Sequence, residues 1–157
     1  MRILMLCTAL MPILTGGCSQ CLRGTPLTDA TAPDAGLMIR YRDAGGADRS
    51  RGMSVGDPDV AITASKNHPF TVEYWGTDLE GLRSAELVYD KWRYSGLQRI
   101  SPLLLAIDMK SSCPVAALLE TRTFASDGLA WRYTFSARAT NWRDATAQSG
   151  KINVQAQ

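Results

Sequence analysis

Residues Trp131 to Thr140 read W-R-Y-T-F-S-A-R-A-T. Trp131, Tyr133, Phe135, Ala137 and Ala139 take every second position, and Arg132, Thr134, Ser136, Arg138 and Thr140 fill the places between. Successive side chains of a strand point to opposite faces, so this spacing calls for one dry face and one wet face. The segment is predicted to be a half-covered strand with Tyr133 and Phe135 buried and Arg132 and Thr134 outward.

The same period of two recurs along the chain. Leu37, Ile39 and Tyr41 alternate with Met38, Arg40 and Arg42; Val60, Ile62 and Ala64 follow, then Phe70, Val72 and Tyr74, Ala85, Leu87 and Tyr89, and finally Ile152 and Val154. Turn signals lie between them at Asn67 to Pro69, Gly76 to Gly81, Ser95-Gly96, Asp127-Gly128 and Ser149-Gly150. Short alternating strands separated by turns predict an all-β fold, an antiparallel sandwich or barrel. Leu103 to Met109 is apolar on both faces and reads as a central strand beginning after Pro102. Val115 to Thr123 is read as a strand, although Ala116 to Glu120 suit a helical turn equally. Asp43 to Pro58, rich in Gly, Asp, Arg and Ser, reads as a loop.

The start of the chain has a different character. Met1 and Arg2 precede an apolar run from Ile3 to Leu14 that ends in Thr15, Gly16, Gly17 and Cys18. A run of about a dozen residues is short of the roughly 20 a membrane-crossing helix needs, so residues 1–17 read as a secretory signal peptide. Small residues before a cysteine resemble the lipobox of bacterial lipoproteins, which implies a diacylglycerol on the Cys18 thiol, palmitate-type acylation and membrane anchoring. Thr15 stands where that pattern has Leu. Ordinary cleavage, for instance after Ser19, is the alternative and gives a secreted protein. By the same resemblance, Ser19 after the cysteine implies an outer-membrane lipoprotein facing the periplasm. Residues 18–36 are poor in apolar side chains and read as a tether, leaving 37–157 as one domain.

Four cysteines are present, and only Cys21 and Cys113 remain if Cys7 leaves with the leader and Cys18 carries lipid. In an oxidising compartment these two are expected to form a disulfide; the alternatives are free thiols or a bond from Cys21 to a partner protein. Net charge is +2, too little field to recruit nucleic acid. Arg40, Arg42, Arg49 and Arg51 cluster in one stretch and read as a solvated face.

Phe70-Thr71-Val72, together with Asp78-Leu79-Glu80-Gly81-Leu82-Arg83-Ser84-Ala85-Glu86-Leu87, resembles the B strand, turn and C strand of bacterial immunoglobulin-like and fibronectin type III-like modules. Tyr133 to Val154 is similar to their final hairpin, with Asn141 in place of the usual Asp and Arg143-Asp144-Ala145 in place of a Gly turn. The resemblance covers residues 60–154 and implies an antiparallel immunoglobulin-like β-sandwich of about seven strands.

Chemistry-bearing patterns are sparse. Gly52-Met53-Ser54-Val55-Gly56 matches the G-x-S-x-G nucleophile elbow, but the polar residues before it and Pro58 after it offer neither the strand nor the helix that elbow needs. His68 is the one histidine, and no cysteine cluster gives it zinc spacing. Asp43, Asp48, Asp57 and Asp59 lack calcium-loop spacing, and Asp78 with Glu80 reads as a turn capping its own backbone. No metal or cofactor is expected. Trp75, Trp92 and Trp142 lie off the inward register or beside turns and form a candidate binding patch, of the kind on which sugar rings stack. The expected function is a non-catalytic cell-envelope lipoprotein that contacts another envelope protein. The alternative is a small extracytoplasmic hydrolase using Ser54 or His68, or a glycan-binding protein.

Overall fold

The computed structural model describes residues 31–95 and 98–157. The leader, Cys18 and Cys21 lie outside these residues. Among the described residues eight strands are formed: β1 (Asp34–Arg42), β2 (Asp48–Ser54), β3 (Val60–Ala64), β4 (Phe70–Ser95), β5 (Gln98–Phe124), β6 (Arg132–Asn141), β7 (Thr146–Gln148) and β8 (Ile152–Ala156). Among the described residues there is no helix, and hence none long and apolar enough to cross a membrane. The all-β reading holds. The arrangement is a single mixed sheet in the order β2-β1-β4-β6-β8-β3, with β5 on β4 and β7 on β6, curled into a half-barrel.

The alternation that opened the reading is realised in the first part of β6, whereas Ser136 and Thr140, expected on the wet face, are buried as well. Tyr133, Phe135, Ala137 and Ala139 are buried, Arg132 is exposed and Thr134 is half-buried. Phe135 lies 5.8 Å from Phe70, 5.7 Å from Tyr89 and 4.9 Å from Phe124, centroid to centroid, so one aromatic cluster joins both halves of β4 to β5 and β6. Leu37, Ile39, Val72, Leu87, Ile152 and Val154 complete the core around it, all essentially without solvent contact.

β4 organises everything else. Its first half pairs with β1 (Ala35 opposite Gly76, Leu37 opposite Tyr74), its second half with β6 (Ala85 opposite Ala139, Tyr89 opposite Phe135), and β5 accompanies both halves. Between Thr77 and Ser84 the register shifts, and the strand folds back over itself. Gly76 lies against Ala139 and Ala85 across the fold, where a Cβ would stand 2.8 Å from that of Ala139. Gly81 makes the turn with φ +127°, a region that only glycine adopts at no steric cost. The stretch from Gly76 to Gly81, expected as a turn between two strands, is therefore a bulged corner within one strand: the ladder to β5 breaks off after Thr77 opposite Ala117 and resumes with Leu82 opposite Val115.

Other expectations need correction. The predicted antiparallel sheet of about seven strands has eight, and β3 runs parallel to β8, Val60 opposite Ile152 and Ala64 opposite Ala156. The cause is a crossover. The chain leaving β2 passes to the far edge, held by Gly150 N to Ser54 O (3.1 Å) and Lys151 N to Asp59 Oδ1 (2.8 Å), and arrives in the direction of β8. Asp48–Ser54, expected as loop, is an edge strand in which only Met53 is buried. Leu105 to Met109, within the stretch expected as a central strand covered on both faces, alternates between half-buried and exposed, so one of its faces is open to solvent. Val115 to Thr123 is strand throughout. β1 begins at Asp34, so its ladder takes in residues 34–36, which the sequence assigns to the tether.

Candidate functional site

The three tryptophans singled out from the sequence are not neighbours. Trp75 lies flat across Gly36, where a Cβ would collide with its indole, and sits opposite the exposed Leu119. Trp142 follows the last residue of β6 and donates Nε1 to Leu82 O at 2.9 Å, closing the corner of β4. Trp92 is opposite Arg132, the first residue of β6. Trp92 and Trp142 are thus at opposite ends of one ten-residue strand, about 30 Å apart.

The enzyme-like residues are separated as well. Ser54 is opposite Gly36 at the start of β1, and its backbone N–H donates to Asp57 Oδ2 at 2.7 Å. His68 lies beyond the other end of β1, where Ser65 N donates to Arg42 O; its Nδ1 is 3.2 Å from Ser65 Oγ. The two ends of β1 are about 20 Å apart. The loop carboxylates are individually engaged: Asp43 with Arg49 and the Ala47 N–H, Asp48 with Arg42, Asp57 with Ser54 and Asp59 with Lys151. The hydrogen bond from Ala47, with that from Arg49, holds the Asp43 carboxyl below the usual carboxylate range. Arg40 pairs with Glu73 at 3.3 Å, so Arg40, Arg42 and Arg49 of this arginine stretch each hold a carboxylate.

Cys113 is half-buried beside the corner of β4 and is disulfide-bonded. Ser111 Oγ donates to its carbonyl at 2.6 Å. The Cys21 end of the expected bridge lies outside the described residues.

At the end of the fold away from the corner, Lys91 Nζ stands 4.0 Å above the Trp131 ring and the Arg93 guanidinium 5.0 Å from it. Trp131 Nε1 donates to Asp127 Oδ2 at 2.7 Å, and this bond, with the Leu129 N–H, lowers the Asp127 carboxyl from its ordinary value. The space enclosed by Trp131, His68 and Asp127 is about 10 Å³, room for about one water.

The outward face of β4-β6-β8-β3 carries a more open feature. Register places Trp92, Arg132, Gln155 and Thr63 in one row across four strands, with Thr134 and Asn153 in the next row. These six residues line a groove of about 330 Å³. Thr134 Oγ1 donates to Asn153 Oδ1 at 2.9 Å, and Asn153 Nδ2 donates to Val60 O at 3.4 Å. The Arg132 guanidinium rests 5.0 Å from the Trp92 ring. Of this set only Trp92 was marked from the sequence. The rest are the wet-face members of the alternation that revealed the strands, and only the cross-strand register turns them into rows.

No protein family matches this chain, and no curated protein does.

Proposed function

We propose that this chain is a cell-envelope lipoprotein, anchored to the outer membrane through Cys18 and facing the periplasm, whose domain is a non-catalytic module contacting another envelope protein. The facing layers produced by the fold of β4 favour reading that domain as an immunoglobulin-like β-sandwich. The observation that carries the contact is β5. It runs for 27 residues with β4 on one edge and no other partner among the described residues. An edge of that length offers backbone donors and acceptors to an incoming strand, a recurring way in which a β module takes a protein partner. Anchoring is supported by the small-residue run ending at Cys18 after an apolar stretch of leader length.

The test is site-directed photocross-linking in cells producing the full chain, with the probe at Asp108 or Thr121 on β5 and at Gln148 on β7 as comparison. One discrete adduct from both β5 positions and none from Gln148 is expected. The same pattern from all three positions, or none from β5, overturns the edge contact.

A further inference from the structure

We propose that the corner of β4 is a lipid-contact site, with Leu79 at its tip entering the surface of the bilayer that carries the anchor. This rests on the reading of Cys18 as a membrane anchor and is separate from the protein contact along β5.

Leu79 is 89% exposed, the most of any large apolar side chain among the described residues. It lies midway through the bulge, and the fold holds it there. Asp78 Oδ1 accepts the Glu80 and Gly81 N–H groups, and Gly81 turns the chain with its positive φ. The backbone around Leu79 is thus fixed while its side chain gains no cover from the domain. Nor is it a lone exposed leucine. Next to the bulge, Leu119 is 58% exposed opposite the half-buried Trp75, and Ala117 is exposed opposite Thr77. Apolar surface grouped in this way marks a place of contact.

The way the chain arrives decides what meets the tip. Thr31 O accepts Asn141 Nδ2 at the corner, and Thr31 to Asp34 share with Leu79 and Ala116 the walls of one hollow of about 290 Å³. The chain therefore enters the domain beside Leu79. Cys18 stands thirteen residues before Thr31, and a flexible chain of that length spans about 20 Å on average. The far end of β6 is about 30 Å further away. The anchor accordingly keeps the corner nearest the bilayer, where a high effective concentration makes even a small apolar contact count.

Shape and charge agree with a lipid surface. A protruding side chain needs no matching pocket in a fluid acyl layer, whereas a protein partner must supply one. Trp142, half-buried, and Arg143, exposed, close the same end of the fold after β6, and both residue types favour the head-group level. Arg83 pairs with Asp144 there, and Asp78 is engaged by the bulge and by Asn141. Charge at the corner is thus mixed in sign, which suits zwitterionic head groups.

The experiment places the full, anchored chain in phosphatidylcholine vesicles with brominated acyl chains, which quench tryptophan emission on contact. Leu79→Trp and Leu129→Trp each add one indole at an exposed position, so the fold tolerates them; Leu129, 43% exposed, is at the other end of the molecule. The unaltered chain gives the background of its own four tryptophans. The emission added by Leu79→Trp should shift to the blue and lose intensity in the brominated vesicles, and that added by Leu129→Trp should do neither. Flotation with the vesicles reads the anchor separately. If the chains float and the two added indoles are quenched alike, or neither is quenched, the corner contact is overturned and the anchor stands. Chains that do not float overturn the anchor and this inference with it. A blue shift of Leu79→Trp in native envelope extract, without quenching by brominated lipid, assigns the tip to a protein and overturns the lipid contact.

Discussion

Asn141 Nδ2 donates to Asp78 Oδ2 at 3.1 Å, joining the end of β6 to the corner of β4. Both side chains are fully employed. Asp78 Oδ1 accepts the Glu80 and Gly81 N–H groups at 2.8 and 3.1 Å, which shapes the bulge. Asn141 Oδ1 accepts Arg143 N and Ala145 N at 3.0 and 2.9 Å, which shapes the turn into β7, where Asp144 has φ 64°. Asn141 Nδ2 also donates to Thr31 O at 3.2 Å, so the arriving chain is tied to the same point. One buried amide thereby organises a bulge, a turn and the beginning of the described chain.

Asn141→Ala strands several of these groups in a site almost closed to water, and should cost about 2 to 4 kcal/mol. Asn141→Asp sets a carboxylate against Asp78 and should be destabilising near neutral pH, with part of the loss recovered when Asp78→Asn is added. Thermal melts of these variants and of Asp78→Asn alone check this. Additive losses in the double variant would mean the two side chains do not act on each other.

The strand register of β6 gives a second prediction. Phe135 is fully buried in the aromatic cluster, whereas Arg132 is exposed at the strand's first position. Phe135→Ala should cost about 3 to 5 kcal/mol and Arg132→Ala well under about 1 kcal/mol, read from denaturant midpoints. Equal losses would show the faces to be assigned the wrong way round.

These two sites also mark what the sequence made legible. Strands such as β6, β8 and β3 announce themselves because one face is dry and the other wet, and period two survives in the letters. β2 does not, since an edge strand paired through its backbone can be polar on both faces, as Asp48, Arg49, Ser50 and Arg51 are. Leu103 to Met109 misleads in the opposite sense. Its apolar letters suggest two covered faces, yet Ala106 and Asp108 are exposed and Leu105, Ile107 and Met109 only half-buried. The corner of β4 was read as a turn from Asp78 and Gly81, and the local hydrogen bonds agree. That the strand continues beyond it depends on β5, some thirty residues later, bending in step. The groove residues are ordinary polar letters until register aligns them.

Burial governs a pH effect. The Tyr133 phenol is pushed from its ordinary value of 10.0 up to about 12 by loss of solvent, with the Asp127 charge and Tyr89 adding to it. Burial also raises Tyr74, whose hydroxyl donates to Glu120 Oε2 at 2.7 Å. Both groups hold their protons more tightly when folded. The stability linked to Tyr133 is complete below pH 10.0 and is lost as pH rises toward about 12, and that linked to Tyr74 is lost at higher pH still, because the unfolded chain ionises first. Denaturation midpoints should fall across that window, and Tyr133→Phe should flatten the fall. A profile unchanged by Tyr133→Phe would remove Tyr133 as a cause.

Anchoring through Cys18 is expected to be an all-or-none property. Cys18→Ser should abolish incorporation of a palmitate analogue and shift the protein from the membrane fraction to the soluble one. Labelling that persists in the variant would rule out the lipidated cysteine and leave ordinary leader cleavage.

The last prediction concerns how the anchor meets the domain. Cys113 is disulfide-bonded and stands beside the corner of β4, close in the register to Val115, which faces Leu82. Thr31 is held at that same corner by Asn141. Both observations favour Cys21 as the partner of Cys113, since ten residues of chain separate Cys21 from Thr31 and can reach a thiol at the corner. The closed loop would hold about 90 residues, worth about 4 to 5 kcal/mol in the chain-entropy account. Its mechanical effect is larger than its energy. With Cys18 lipidated as proposed, a bridge at Cys21 would leave two residues between anchor and disulfide and would hold the corner of β4 near the membrane. The Trp92 groove and the far end of β5 then face away from it. Intact mass after alkylation, with and without prior reduction, should show Cys21 and Cys113 protected together in the chain produced in the periplasm. Cys21→Ser should expose the Cys113 thiol and lower the denaturation midpoint. If Cys113 stays protected in that variant, its partner is another cysteine, and the corner is not held close to the anchor by Cys21.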